Sequence, residues 1–251
     1  MSSMCSSYRR RMRGILLDGV IFDVGDTLID TKSIIEKALM LAARKLKAEG
    51  HIGHVSQFIG AYHRADRNIR GPSVNHLFSG LEIVRRAWNL MGNKESYSAF
   101  GIFLTSYRDA VRSNIKSDPE LTLTLRQLKR KGVKIGVLSD GTILEQLESL
   151  TLLGVMKLVD SVVTSEELGC EKPNSKLFDA ILRRLSVKAE KAIMVGNDPY
   201  RDILGAKRMG MKTALVTRYS RTKIADYKPR VKPDIWLKTP YDIVRYVTGL
   251  G

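Results

Sequence analysis

Short apolar segments alternate with amphipathic ones along most of this 251-residue chain, and the alternation restricts the fold more than any other feature of the sequence. Segments with the length and apolar content of buried strands lie at residues 18–24, 133–139, 158–164, 191–196, 212–216 and 234–237. Amphipathic segments with helical spacing lie between them, at 121–131, 143–153, 176–185 and 202–209. Such alternation predicts an α/β fold, in which helices cover both faces of a parallel sheet. Ligands bind such sheets at the carboxyl ends of the strands.

One long interval interrupts the alternation. Between residues 31 and 116 there is no strong strand candidate, and segments with helical spacing are separated by glycine-containing turns. A helical block inserted directly after the first strand would stand over the carboxyl end of that strand, where a lid belongs. We therefore predict a core domain at 14–30 and 117–251, an inserted α-helical cap domain at 31–116, and a basic mobile tail at 1–13.

Composition excludes several classes of protein. The two cysteines, Cys5 and Cys170, are far apart, which argues against a disulfide scaffold or a cysteine-based zinc site and fits a cytoplasmic location. The sequence contains no run of about 18 apolar residues, so we expect no membrane span. The formal charge of +16 favours anionic partners. Since no recognition helix, zinc finger or aromatic stacking motif is found, a small phosphorylated molecule is favoured over nucleic acid.

Polar residues follow four of the predicted strands. They are Asp23 after the first, Ser139 and Asp140 after the second, Lys172 in the segment after the third, and Asn197, Asp198 and Asp202 after the fourth. Each residue alone is compatible with a turn, a helix cap or a surface position. Parallel strands, however, would bring all of these residues to one edge of the sheet.

Together these side chains are a set suited to phosphoryl transfer. A carboxylate can attack phosphorus and form an acyl phosphate. Two carboxylates from different strands can hold one Mg²⁺, which neutralises the phosphate. A hydroxyl and the backbone N–H groups at a helix start can bind the remaining phosphate oxygens, and a lysine supplies positive charge.

The motifs FDVGDTL, VLSD, CEKPNSKLF and VGNDPYRDILGAKRMGM, in this order, resemble those of the haloacid dehalogenase-like (HAD) hydrolase superfamily. The helical insert resembles that of the subgroup with a small α-helical cap between the first two motifs. The resemblance covers about residues 18 to 250. It implies a Rossmann-like, three-layer core, a nucleophilic aspartate and, in most members, Mg²⁺-dependent phosphatase activity.

Roles follow from the resemblance position by position. It implies that Asp23 is the nucleophile and that Ser139 and Lys172 complete the catalytic group. Asp26 is a further catalytic candidate, as a displaced acid. The residues predicted to bind the substrate phosphate are Thr27, Ser139, Asp140 and Lys172. The metal ligands are Asp23, the carbonyl of Gly25, Asp198 and Asp202.

The chain departs from the family pattern at two positions. The usual second aspartate of the first motif, which acts as general acid and base, is replaced by Gly25, and the acid stands one residue later, at Asp26. Asp26 either protonates the leaving group or has a structural role in the turn. Asn197 stands where many members have an acid, so that Asp198 is the predicted ligand if Asn197 is an insertion.

Three functions remain open on the sequence. The leading hypothesis is a Mg²⁺-dependent phosphatase that acts on a small phosphorylated metabolite through a phospho-aspartate. A 2-haloacid dehalogenase would use Asp23 to attack carbon and would need neither metal nor leaving-group acid, but the retained Asp198 and Asp202 argue against it. A catalytically weak binding protein of the same fold is the third reading.

Overall fold

The computed structural model describes residues 17–69, 79–219 and 231–247. The predicted tail at 1–13 lies outside this range. Within the described residues, none of the helices combines the length and the hydropathy that crossing a membrane requires.

A six-stranded parallel sheet forms the centre of the larger part of the chain, which confirms the predicted α/β fold. The strands are β1 Gly19–Phe22, β2 Lys134–Ser139, β3 Ser161–Thr164, β4 Ala192–Gly196, β5 Lys212–Val216 and β6 Ile235–Leu237. Their order across the sheet is β3-β2-β1-β4-β5-β6. The strand order changes direction beside β1, and this switch point is where ligands bind in open parallel sheets.

β1 lies between β2 and β4 with matched register. Phe22 is aligned with Val137 on one side and with Val195 on the other. All four residues of β1 are buried, as the apolar strand of a sheet covered on both faces must be. The residue after Phe22 therefore emerges at the middle of the carboxyl edge.

A separate helical unit spans Thr31–Lys116, while the described residues before and after it form the other compact unit. Its described helices are α1 Thr31–Ala48, α2 Val55–Ile69, α3 Ser79–Leu90 and α4 Tyr97–Asn114. Five aromatic residues are buried at its centre: Phe58, Tyr62, Trp88, Phe100 and Phe103. The ring of Phe58 packs against those of Trp88 and Phe103 at centroid distances of 6.2 and 5.3 Å. The unit thus has a hydrophobic core of its own.

The sheet is flanked by α5 Pro119–Arg130, α6 Ile143–Leu152, α7 Ser165–Leu168, α8 Ser175–Leu185, α9 Gly205–Arg208 and α10 Ile243–Val247. Local signals explain where these helices begin. Asp118 caps α5 by accepting a hydrogen bond from the N–H of Leu121, and a proline occupies the first turn. Thr142 and Glu145 form a capping box at the start of α6. Helix α8 buries Phe178 and Ile181 in the cluster that contains Ile21 of β1 and Met194 of β4.

Candidate active site

A tight turn after β1 brings Asp23 and Thr27 together. The backbone N–H of Asp23 continues the sheet by donating to the carbonyl of Val195 at 2.9 Å, and the carbonyl of Val24 accepts from the N–H of Leu28 at 2.9 Å. This turn lets the Thr27 hydroxyl donate to Asp23 Oδ2 at 3.0 Å. Both side chains are buried, so the spacing of four residues seen in the sequence produces a direct contact.

Asp26 lies at the tip of this turn in a left-handed conformation, with φ of 53°. Its N–H donates to the carbonyl of Ile29 at 2.7 Å, and Gly25 forms a short parallel bridge with Ile29. Aspartate tolerates the left-handed region better than most residues because its short polar side chain can bond locally. Asp26 is thus part of the backbone geometry of the turn, whatever its side chain does in catalysis.

Lys172 joins the ends of three strands. Its ammonium group donates to Asp23 Oδ1 and Asp202 Oδ1, each at 2.7 Å, and to the carbonyl of Leu138 at 3.3 Å. Burial alone would lower the pKa of Lys172, but the charges of Asp202, Asp23 and Asp140 more than offset it and hold the pKa above its ordinary value. The side chain is therefore a permanent cation with all three of its protons engaged.

Asp202 is fully enclosed by the protein. One carboxylate oxygen accepts from Lys172, and Oδ2 accepts from the N–H of Asp198 at 2.9 Å. Burial raises the pKa of Asp202 to about 6, and the charge of Asp23 acts in the same direction, while Lys172 opposes both. In this structure Asp202 holds Lys172 and the loop after β4 in place.

The end of β2 supplies Ser139 and Asp140. Ser139 is buried, and its hydroxyl makes a long contact of 3.4 Å with the carbonyl of Asp140. The Asp140 carboxylate accepts from the N–H of Lys172 at 3.0 Å through Oδ1 and from Arg201 Nη1 at 3.4 Å through Oδ2. The carboxylate of Asp140 thus bridges two loops of the protein, and its role in phosphate binding stays a prediction.

The two candidates at the end of β4 have different neighbours. Asn197 Oδ1 lies 3.3 Å from the Thr27 hydroxyl, whose single proton is shared between this amide oxygen and Asp23 Oδ2. Asp198 Oδ1 accepts from the N–H groups of Tyr200 and Arg201, at 2.8 and 2.9 Å. Asp198 thereby caps the π-helical segment Pro199–Leu204. Asn197 shares a hydrogen-bonding partner with Asp23, whereas Asp198 caps the segment that follows.

Sequence reasoning missed two residues that shape this site. Arg201 contacts Asp140, and its signal was a cation placed directly before Asp202 in a polar loop. Gly196 ends β4, and a Cβ at this position would overlap the carboxylate of Asp202. That glycine therefore permits the close approach of Asp202 to the strand, a long-range requirement with no local signal.

The donors around Asp23 suit a hard cation. Across the ranges that the structure describes, no group of three or more His, Cys, Asp or Glu side chains is arranged to hold a metal. Asp23 and Asn197, which both contact the Thr27 hydroxyl, offer carboxylate and amide oxygens, and Gly25, two residues after Asp23, can offer its main-chain carbonyl. Mg²⁺ binds through one or two carboxylates and keeps several waters, whereas zinc sites need more protein ligands, often sulfur or nitrogen. This donor set therefore fits Mg²⁺ better than zinc.

Comparison with known proteins identifies a matching family, related sequences and a similar solved structure. The family model of haloacid dehalogenase-like hydrolases matches residues 20–216. The glyceraldehyde 3-phosphate phosphatase of Methanopyrus kandleri is 33% identical over 239 residues, which cover 94% of this chain and 99% of that protein. The ribulose-1,5-bisphosphate 5-phosphatase of Halopiger xanaduensis is 40% identical over 78% of this chain and 83% of its own. The crystal structure of a HAD phosphatase from Thermococcus onnurineus has a TM-score of 0.63 at 23% identity, over 93% of this chain and 98% of that one.

Proposed function

We propose that this chain, which belongs to the haloacid dehalogenase-like hydrolase family, is a Mg²⁺-dependent phosphatase acting on a small phosphorylated metabolite. The observation that carries the proposal is the setting of Asp23. This carboxylate ends the central strand, is buried, and is held by Lys172 on one oxygen and Thr27 on the other. The names of the relatives above support a phosphoric ester as the substrate.

Asp23 is the proposed nucleophile. A carboxylate has about four lone-pair positions, so each oxygen can accept one hydrogen bond and still present a lone pair. Attack forms a bond from Asp23 to phosphorus and breaks the bond from phosphorus to the ester oxygen, which leaves with a proton. Water then attacks the phosphorus of the phospho-aspartate, releases phosphate and restores the carboxylate. Asp26 is the proposed source of the leaving-group proton.

Other side chains orient the reaction. Since the protons of Lys172 are engaged by Asp23, Asp202 and Leu138, we infer that its charge and positioning, more than direct phosphate contact, assist attack. Thr27 orients the second oxygen of Asp23. Ser139, at the neighbouring strand end, is the proposed hydroxyl donor to the phosphate.

The proposed metal ligands are Asp23, the carbonyl of Gly25 and one residue from the end of β4. A bound Mg²⁺ would neutralise phosphate charge and so allow one anion to approach another. The contact between Asn197 and Thr27 supports Asn197 as the third ligand over Asp198, whose Oδ1 caps the following segment. Asp202 would then act through Lys172 and the Asp198 N–H.

Short sugar phosphates are the first substrates to test. Two relatives are named for phosphate esters of three- and five-carbon sugars, and the net charge of +16 favours anionic ligands. We propose that residues 31–116 act as the cap that selects among such substrates and that residues 14–30 and 117–251 form the catalytic core. A cytoplasmic location stays a prediction from cysteine usage.

Phosphate release from a panel of sugar phosphates, with Mg²⁺ and with EDTA, tests the proposal. We expect turnover of at least one triose or pentose phosphate with Mg²⁺ only, and none in Asp23→Asn. Asp18→Asn is the matched control, because Asp18 is exposed at the opposite end of β1. Metal-independent chloride release from chloroacetate, without phosphatase activity, would instead support the dehalogenase reading.

A further inference from the structure

Arg201 links three loops at the carboxyl edge of the sheet. It lies in the π-helical segment Pro199–Leu204, which follows β4. Its guanidinium reaches Asp140 Oδ2 at 3.4 Å, after β2, and Glu171 Oε2 at 3.7 Å, in the loop after α7. Short π-helical segments are frequent at functional sites.

Asp140 connects Arg201 to the candidate active site. Its other carboxylate oxygen accepts from the backbone N–H of Lys172 at 3.0 Å. The ammonium group of that same lysine is bonded to Asp23. An unbroken series of contacts, through Asp140 and Lys172, therefore connects Arg201 to the candidate nucleophile.

The charge balance gives Arg201 a second effect. Asp23, Asp140 and Asp202 bring three carboxylates close together, and in the described part of the chain Lys172 pairs with Asp23 and Asp202 while Arg201 pairs with Asp140. The side chain of Asp140 is only 9% exposed, so the loss of Arg201 would leave a nearly buried carboxylate to share the charge of Lys172 with Asp23 and Asp202. Such a charge would repel an incoming phosphate.

We propose that Arg201 is a positioning residue, which holds Asp140 against Lys172 and offsets the negative charge beside Asp23. This inference rests on the proposed phosphatase function. It distinguishes Arg201 from an ordinary surface cation such as Arg183, whose side chain is 78% exposed and pairs with Asp179 one helical turn away. Exposed pairs of that kind contribute little.

Kinetics with p-nitrophenyl phosphate and Mg²⁺ provide the first test. We expect Arg201→Gln to lower kcat/KM about tenfold, Arg201→Lys to recover much of the loss, and the control Arg183→Gln to stay within about twofold of wild type. In an Asp140→Asn background, Arg201→Gln should lower kcat/KM by a further factor of less than about two, because the two residues act as a unit. Equal losses in the two backgrounds, or an Arg201→Gln variant with wild-type kinetics, overturn the inference.

A double-mutant cycle in urea unfolding provides a readout that needs no activity. We expect the effects of Arg201→Gln and Asp140→Asn on stability to be non-additive, and additive effects would overturn the inference by themselves. If the wild type fails to hydrolyse any phosphate ester, the proposed function fails, while the unfolding cycle still decides whether Arg201 and Asp140 are coupled. The two failures are thereby distinguishable.

Discussion

Asp26 poses the sharpest question at the scale of single residues, because it is an acid displaced by one position and held in a left-handed turn. We predict that Asp26→Asn slows the hydrolysis of alkyl phosphates by about 10²-fold or more, the usual contribution of a general acid. Hydrolysis of p-nitrophenyl phosphate should fall much less, since its leaving group needs little protonation. Steady-state kcat for the two substrates, measured side by side, provides the comparison.

Asparagine is the suitable replacement because it also tolerates the left-handed region, so the turn should be preserved. Asp18→Asn, at the exposed amino end of β1, controls for the loss of one negative charge. An equal loss on both substrates would assign Asp26 a structural role in the turn. The sequence alone left both roles open.

The second prediction at this scale concerns the charge of the metal site. If Asn197 faces the cation, Asn197→Asp should tighten Mg²⁺ binding about tenfold, because a carboxylate replaces a neutral amide among the ligands. Asp198→Asn should change the affinity less than about threefold and stability very little, because asparagine caps as well as aspartate. Isothermal titration with MgCl₂ measures both affinities without reference to turnover. A large loss of affinity in Asp198→Asn would return the ligand role to Asp198.

At the scale of elements, the end of β4 depends on the absence of a side chain at Gly196. A Cβ there would overlap Asp202 and displace it from Lys172 and from the Asp198 N–H. We predict that Gly196→Ala lowers the free energy of unfolding by about 1–3 kcal/mol, as overpacked cores do. Activity should fall at least about tenfold as well, because Lys172 loses its second carboxylate. Urea unfolding and p-nitrophenyl phosphate kinetics on the same preparation measure the two effects.

Gly136 of β2 offers a matched control. A Cβ at Gly136 would meet Leu185 Cδ1 at 2.8 Å and Ile181 at 3.1 Å, which are side-chain ends on α8 away from the site. Gly136→Ala should therefore destabilise the fold, though less than Gly196→Ala, and leave the kinetics within about threefold of wild type. If both variants lose activity in proportion to their stability, Gly196 has no special role at the site.

Elements were predicted well wherever their signal was local. The six strands occur where apolar runs indicated them, because a strand buried on both faces leaves a continuous apolar segment. The amphipathic segment at 202–209 predicts an ordinary helix, whereas the structure has a π-helical segment at Pro199–Leu204, because the capping of its N–H groups by Asp198 depends on three-dimensional geometry. The strand order likewise reflects pairing between distant segments.

For the whole molecule, the family and hydrolase class predicted from four ordered motifs are confirmed by the match over residues 20–216 and by the relatives. The motifs identified Asp23, Thr27, Lys172 and Asp202, and direct hydrogen bonds connect these residues. The engagement of Asp140 by Arg201 was not predictable, because no rule of spacing pairs residues 61 positions apart. Motif order thus predicts which residues meet, and long-range packing decides which of their atoms remain for a ligand.

The buried acid at Asp202 should make the stability of the whole molecule depend on pH. Its pKa is raised from 3.8 to about 6, because burial, together with the charge of Asp23, disfavours the ionised form. Between these pH values the folded protein keeps a proton that the unfolded chain has released. This contribution is therefore fully present below about pH 4 and is lost as the pH rises through about 6, with a size of roughly 3 kcal/mol.

We predict that the free energy of unfolding of the wild type, minus that of Asp202→Asn, falls by roughly 2 kcal/mol between pH 4 and pH 7 in EDTA. Asparagine removes the titrating group while keeping a similar volume beside Lys172 and the Asp198 N–H. Asp179→Asn, on the exposed side of α8, should follow the wild-type profile. Urea unfolding at intervals of half a pH unit measures the difference. A difference that rises with pH would mean that Lys172 depresses the pKa of Asp202, because its charge would then outweigh burial.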